Sequence, residues 1–586
     1  MKSAVSGMIA AAVAATSTAM VNPPPSESIV IQMSRAINLT KKANINPSVA
    51  SDACALWASI LTKQNNIPLP QDAMAAAHAL YASALTRIGR DKDAIVEYQH
   101  SLQYLEQFQT TVTETEIDVR MGLGKSLQRL LRYRKAKNIF IDIACKCAGF
   151  GTLRQNHSEA VQRAVLCCLR LGDARSALKI INEFESVTAN RTKDPEITGL
   201  KGVVSLQQST SESDLNNARS LLLYAADNCD TILYKWLYIA TRRKPKPSDF
   251  SLNQMNDGQG IQKFAEINNS AFDDPFLVYL DDKLLLHRVL RSFPEAQQFY
   301  PQSFVIPREL SQFQDACKNR DDNWMLKDRS GYGSHGNRVV SASVIKNSSS
   351  SESALCQQLI QPAMLLRGRK FSLRIYAIYF PKGKDLTREE ERLEEVYIST
   401  NGLVKLASAE MDSNNPLDDQ YMTNSGRGDG RSAMQYDLNY LRSELKKDNI
   451  IKYDSLWGEI EDAARLVMSK YIALRSEHFH LSSIKFECDD ETDTPSICEH
   501  ECLSCVPKIL GFDFMLDASG QPWLLEVNRF PGLEPRSSMD STVKANVLYD
   551  AWCTAASSLG LDVEVMDAIR PQGYKSYALV KLQTTY

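Results

Sequence analysis

The sequence predicts a two-part chain, an all-α helical-repeat solenoid followed by an α+β domain. Three observations predict it. Small residues recur at near-constant spacing through the first 240 residues, at Ala94, Ala136, Ala177 and Ala218, with Ala53 one period earlier. From Lys370 onward, apolar and polar residues alternate with the period of a strand. Further on, Gly511-Phe-Asp-Phe-Met515 and Trp523-Leu-Leu-Glu-Val-Asn528 are strand-like stretches joined by Asp517-Ala-Ser-Gly-Gln521, which is turn chemistry.

Residues 1–28 read as a disordered start or a poor secretory signal. Lys2 is followed by an uncharged, alanine-rich stretch to Met20 and then Pro23-Pro-Pro25. Residues 29–240 read as the repeat domain. The context of the small residues repeats with them, as in Leu85-x-x-Ile-Gly89-Arg-x-x-Asp-Ala94 and Leu169-x-Leu-Gly172-Asp-x-x-Ser-Ala177, which read as helix, tight turn, helix. A small residue early in the second helix lets the pair approach closely, and a fixed period implies stacking of pairs. The pattern is similar to tetratricopeptide repeats with lengthened helices, at a period that overlaps the HEAT range. Such a surface is expected to bind a protein partner. Residues 241–260 read as a linker, because Arg242-Arg-Lys-Pro-Lys-Pro is basic and proline-containing and Asn253–Gly260 is polar with two glycines.

Residues 261–570 carry the chemistry, and 571–586 read as a tail. Trp324-Met-Leu-Lys327 is a strand ending in a lysine, followed by a glycine-rich loop to Gly336 whose backbone amides suit phosphate. In the strand from Lys370, Phe371, Leu373, Ile375 and Ala377 face one way, and Lys370, Ser372 and Arg374 the other. Val396–Leu406 reads as a second hairpin with an Asn401-Gly402 turn that delivers Lys405. A turn centred on Ser519-Gly520 puts Asp513 opposite Glu526, with Asn528 on the same face. Two carboxylates and an amide oxygen make a hard, oxygen-rich site that suits Mg²⁺ bound with nucleotide phosphates. The same stretch also reads as an edge hairpin with solvated acids.

The order of these parts resembles the tubulin tyrosine ligase-like family, whose catalytic domain has an ATP-grasp fold. Tyr300-Pro-Gln-Ser-Phe-Val-Ile-Pro307 resembles its Tyr-Pro-x-Ser/Thr-Phe-x-x-Pro motif, preceded by Asp282-Lys283-x-x-Leu286. Arg369-Lys370-Phe-Ser-Leu-Arg374 is similar to Arg-Lys-Phe-Asp-x-Arg, and Met422-Thr423-Asn424 to the Thr-Asn pair. Gly511-Phe-Asp513 and Leu525-Glu526-Val-Asn528-x-x-Pro531-x-Leu533, with Asp540 and Lys544, resemble the metal-binding end. The resemblance implies ATP and Mg²⁺ as cofactors. It places Lys283, Lys327, Gly336, Gln361, Lys370, Ser372, Thr423 and Asn424 at the nucleotide, and Asp513, Glu526 and Asn528 at the metal. Arg374, Lys405 and Glu526 take the catalytic positions. The chain departs from the family at three points: Ser372 where Asp is usual, Arg338 for a glycine of the loop, and Asp328 after Lys327 where Pro is usual.

The implied activity is ATP-dependent acid–amino-acid ligation through an acylphosphate, with a free amino acid (Tyr, Glu or Gly) joined to a tubulin C-terminal tail or another acidic protein. A catalytically inactive scaffold is the alternative. With 67 basic and 70 acidic residues the chain is nearly neutral, so attraction to an acidic tail requires a local patch, for which Arg308, Arg367, Arg369 and Arg536 are candidates. No nucleic-acid partner is expected, and no run is apolar and long enough for a membrane span. Thirteen cysteines without a disulfide-like framework suit a reducing compartment; the resemblance, with its need for ATP and tubulin, implies the cytosol, with a cytoskeletal or ciliary site. Cys488, Cys498, His500, Cys502 and Cys505 read as a flexible insert, with zinc ligation by the Cys502-x-x-Cys505 pair as the alternative.

Overall fold

The computed structural model describes residues 28–229, the pairs 233–234 and 237–238, and residues 274–584. Excepted are several stretches within these limits, the longer of which are 63–69, 330–336, 382–393, 412–422, 424–433, 480–505 and 559–573. The N-terminal residues 1–27, the linker, Gly336, Asn424 and the Cys488–Cys505 cluster lie outside the described residues. The chain forms two compact units that divide near residue 200.

The N-terminal helices run in pairs. These are α1 (Ser28–Ile45) with α2 (Ala50–Thr62), α3 (Gln71–Arg87) with α4 (Asp91–Phe108), α5 (Glu114–Arg129) with α6 (Tyr133–Cys147), α7 (Arg154–Arg170) with α8 (Ala174–Val187), and α9 (Pro195–Gln208) with α10 (Glu212–Asn228). Ala53, Ala94, Ala136 and Ala177 each hold the fourth position of a second helix and are fully buried, as is Ala218 of α10. A methyl group there sets the close approach within each pair. Gly89 and Gly172 make their turns at φ +74 and +73, a conformation that costs glycine little. Gly122 and Gly124 of α5 lie so near Tyr98 of α4 and Phe140 of α6 that a Cβ would fall 2.5 and 2.6 Å from those rings.

The second unit holds two antiparallel sheets. In the smaller, β1 (Ser303–Ile306), β2 (Asn323–Asp328), β3 (Asn337–Ser341) and β4 (Ala354–Gln358) are ordered β1-β4-β2-β3. Ile306, Trp324, Phe313 and Cys356 form its core. In the larger, β6 (Arg369–Phe380), β7 (Glu395–Leu406), β9 (Lys508–Leu516), β10 (Pro522–Asn528) and β11 (Leu579–Leu582) are ordered β10-β9-β6-β7-β11. Here β5 (Leu365–Leu366) pairs with β6, and β8 (Gln435–Asp437) with β7. Helices α11 (Val278–Asp281), α12 (Lys283–Arg291), α13 (Leu310–Ala316), α14 (Ala342–Lys346), α15 (Leu438–Asp448), α16 (Tyr453–Phe479) and α17 (Ser538–Ser558) complete the unit. Phe371, Leu373 and Ile375 of β6 join Leu441 of α15 and Ile460, Ala464, Val467 and Met468 of α16 in one core. Burial of each large side chain there is worth about 1.5–3 kcal/mol. Among the described residues, no helix is long and apolar enough to cross a membrane.

One expectation is corrected. Asn401-Gly402 is not a hairpin turn, because β7 runs unbroken from Glu395 to Leu406. The dipeptide sits where the register against β6 shifts between Ile375 and Ala377. Glycine is suited to that irregularity because a Cβ at 402 would lie 2.7 Å from the Arg374 carbonyl oxygen. There β7 also changes partner, from β11 at residues 396–399 to β8 at 403–405. The stretch read as a tail contributes β11 to the sheet.

Candidate active site

The two faces of β6 have different tasks. Its apolar residues enter the core, while Lys370, Ser372 and Arg374 lie on the other face and are nonetheless buried. A chain of directly opposed pairs then crosses the large sheet. Lys405 of β7 pairs with Ser372, Arg374 pairs with Asp513 of β9, and Asp513 pairs with Glu526 of β10.

The Arg374 guanidinium forks onto Asp513, with Nε donating to Oδ1 at 2.6 Å and Nη2 to Oδ2 at 2.8 Å. Lys405 Nζ lies 3.7 Å from Asp513 Oδ1. Burial opposes ionisation of Asp513, but Arg374 and Lys405 outweigh it and hold the carboxyl at about 2. For Arg374, burial likewise opposes the charge, and Asp513 more than reverses this, raising it above the usual guanidinium value. Asn528 Nδ2 donates to Glu526 Oε1 at 3.3 Å and to Asp513 Oδ2 at 3.4 Å. Glu526 and Asn528 are half-buried.

The hairpin register departs from its regular form to achieve this. Next to the turn, Pro522, Trp523 and Leu524 pair with Leu516, Met515 and Phe514, and then Leu525 bulges so that Glu526 pairs with Asp513. The carbonyl of Leu525 accepts from Lys327 Nζ at 3.2 Å.

Lys327 is buried on β2 of the smaller sheet, and its Nζ also donates to Gln357 Oε1 at 2.6 Å. Burial lowers Lys327 to about 8, with Glu526 opposing that shift and Lys283 adding to it. Burial likewise lowers Lys370 to about 8. Ser372 and Thr423 share a hydroxyl hydrogen bond of 2.7 Å.

A cavity lies between the two sheets of this unit. Lys327, Lys370, Ser372, Thr423, Asp513 and Glu526 all line it, so six sequence-predicted residues converge on one space. Lys283 stands at the start of α12, beside Asp282, whose carboxylate caps that helix and pairs with Arg329 at 2.7 Å. Arg374, Lys405 and Asn528 sit one shell behind, through Asp513 and Glu526. Gln361 is not brought to the cavity, being exposed next to a cis bond to Pro362; the end of β4 and the two residues after it contribute Gln357, Gln358, Leu359 and Ile360 instead. Gln357 was missed by sequence reasoning. Besides holding Lys327, it donates through Nε2 to Ser303 Oγ at 3.3 Å. The signal available was a pair of glutamines ending an otherwise apolar strand.

Of the arginines proposed for an acidic partner, Arg536 lies outside the described residues and Arg308 is exposed. Arg367 takes φ +53 and lies over the rings of Tyr436 and Tyr440, at 5.3 Å from each. Arg369 pairs with Glu410 at 3.4 Å.

The donor atoms fit a magnesium ion. Glu526 and Asp513 supply carboxylate oxygens, the Asn528 amide holds both through Nδ2, and a carboxylate has about four lone-pair sites, so the Arg374 fork leaves Asp513 capacity for a cation.

Comparison with known proteins identifies the family. Residues 253–556, more than half of the chain, match the profile of the tubulin-tyrosine ligase family. The chain is similar to the tubulin polyglutamylase TTLL6 of Homo sapiens, 26% identical over 280 residues, covering 45% of this chain and 28% of the relative. It is also similar to the tubulin polyglutamylase TTLL13 of Mus musculus, 27% identical over 281 residues, covering 45% and 32%. A third relative, the tubulin monoglutamylase TTLL4 of Mus musculus, is 25% identical over 312 residues, covering 50% and 24%. In each case the match spans less than a third of the relative's own length. The two-sheet unit with its intervening cavity suits an ATP-grasp domain, and the chain is a member of the tubulin-tyrosine ligase family.

Proposed function

We propose that this chain is an ATP-dependent ligase that joins an amino acid by an amide bond to a protein carboxylate, with an acidic tubulin tail as acceptor. The observation that carries this reading is the cavity at which Lys327, Lys370, Asp513 and Glu526 meet. Two cations and two acids around one space match the needs of phosphoryl transfer, where catalysis rests on positioning and neutralising oxygen charge. Glutamate is the proposed donor, because the similar proteins carry the names of glutamylases.

In this reading an oxygen of the acceptor carboxylate bonds to the γ-phosphorus of ATP and ADP leaves. The amine of the incoming amino acid then bonds to the acyl carbon, phosphate leaves, and the amine proton passes to solvent. Lys327 and Lys370 face the phosphates, with Lys283 beside Lys327. Ser372, Thr423, Asn424 and the loop at Gly336 complete the nucleotide site, and the segment from Gln357 to Ile360 takes the place expected of Gln361. Asp513, Glu526 and Asn528 would hold Mg²⁺, which supplies charge neutralisation on the phosphate oxygens. Arg374 fixes Asp513, and Lys405 adds the positive charge that receives a carboxylate. Action on tubulin implies a cytoskeletal location.

The test is mass spectrometry of purified tubulin incubated with the protein, Mg-ATP and Glu, Gly and Tyr together, with Glu526→Gln alongside. The expected result is a tail mass increase by glutamate that the variant lacks. Unmodified tubulin, from a protein that binds ATP, would overturn the assignment of substrate.

A further inference from the structure

We propose that the helix pair α3–α4 carries a zinc site formed by His78, Glu97 and His100. It lies in the N-terminal unit and does not rest on the ligase reading.

The site follows from how closely the two helices pack. Ala73, Ala75, Ala76, Ala77 and Ala79 of α3 are buried, and Ser101 Oγ of α4 donates to the Ala75 carbonyl at 2.8 Å across the pair. One turn beyond Ala75 on α3 stands His78, and just before Ser101 on α4 stands His100. Glu97 lies three residues before His100, on the same side of α4. At this separation His78 Nδ1 is 2.6 Å from Glu97 Oε2, and the two imidazole centroids are 5.2 Å apart. Tyr104, one turn further along α4, stacks on His78 at 5.6 Å and 17°, which fixes the plane of that ring.

One ligating atom of each residue lies within 4.8 Å of the other two, and among the described residues this is where three such groups gather. The His78–Glu97 contact alone reads as an ion pair. It leaves His100 unexplained, because His100 Nδ1 is shut away from solvent and has no hydrogen-bond partner. A buried nitrogen lone pair or N–H without a partner is unfavourable, and a metal bond would satisfy the lone pair.

The donor set selects the ion. Two imidazole nitrogens and one carboxylate oxygen suit zinc, with a fourth position left for water. Magnesium and calcium call for an all-oxygen shell. Binding replaces the His78–Glu97 contact by bonds from both side chains to the ion. The ion then ties α3 to α4, and because it binds the folded pair it raises thermal stability.

The experiment uses the full chain carrying Cys502→Ser and Cys505→Ser, so that a thiol pair does not contribute. This protein, His100→Gln and Glu97→Gln in the same background are equilibrated with ZnCl₂ against a weak chelator, and bound zinc is counted by elemental analysis. The expected result is one zinc per chain more in the parent than in either variant, with a zinc-dependent rise in melting temperature that both variants lose. Equal zinc in parent and variants would overturn the proposal. Should a variant fail to fold, the parent decides: no stoichiometric zinc, or no difference in melting between zinc and EDTA, also overturns it.

Discussion

Glu526 stands opposite Asp513 because Leu525 is bulged out of the strand between the turn and the acids, and the Leu525 carbonyl oxygen accepts a hydrogen bond from Lys327. One irregularity thus sets the spacing of the two carboxylates and helps hold a lysine of the other sheet. Lys327 has two protein acceptors and a depressed pKa of about 8, so it is held in place at the expense of its solvation.

Lys327→Met tests whether that lysine serves the fold or the ligand. Loss of two hydrogen bonds is offset by relief from a buried charge, so stability should change by no more than about 1.5 kcal/mol. Nucleotide affinity, measured by calorimetry, should fall at least about tenfold, the loss of one charge-assisted contact. A large loss of stability with unchanged affinity would make Lys327 structural.

Removing the fork on Asp513 should be costly. Arg374→Ala leaves a buried carboxylate with only Lys405 beside it and without its fork, and is expected to lower unfolding free energy by about 3 kcal/mol. Arg374→Met combined with Asp513→Asn should recover most of that loss in urea titrations. In the wild type the pair gives acid sensitivity. Asp513 titrates at about 2 when folded and near 3.8 when unfolded, so its contribution is full above about pH 4 and is lost as pH falls towards 2.

Lys327 and Lys370 give a slope of the same sign at high pH. Both fall to about 8 in the fold, from the ordinary lysine value of 10.5, so between these values the unfolded chain binds more protons and stability rises with pH. Phosphates favour the ammonium forms, so nucleotide binding near pH 8 should take up protons. Calorimetry in buffers of different ionisation enthalpy would detect this; uptake should be absent when both lysines are replaced by methionine.

Gly124→Ala should destabilise the repeat unit. The added methyl would fall 2.6 Å from the Phe140 ring, an overpacking worth about 1–3 kcal/mol. Against it stands a helix-propensity gain of about 1 kcal/mol. The net loss should disappear when Phe140→Leu is added, read as a recovered melting temperature.

Much of this was legible in the sequence, for physical reasons. Periodic alanines mark helix pairs because a buried contact demands a small residue at the same place each time, and Ala94, Ala136 and Ala177 fall at the same helix position. The facing of Asp513 and Glu526 was also legible, but by an unexpected route. The expected turn centre needed no bulge, whereas the real turn is tighter and Leu525 makes up the difference. Asn401-Gly402 misled because the dipeptide suits hairpin turns and strand irregularities alike, and only the neighbouring strands decide between them. Gln357 and the Arg374 fork were hidden for another reason. Hydrogen-bond partners from distant strands leave no spacing in the chain, and Arg374 and Asp513 are 139 residues apart.

The edge strand β11 has a consequence for how the protein is made. Thr400 of β7 donates its N–H to Ala578, 178 residues later in the chain. A ribosome adding roughly 5–20 residues per second needs about 10–35 s to cover that interval. Throughout that time one flank of the strand bearing Lys405 lacks its partner, and an unpaired strand edge is a template for association with other chains. Rapid, crowded synthesis should therefore yield more aggregated protein than slow synthesis at low temperature, with the nascent sheet rather than the helical repeats as its source.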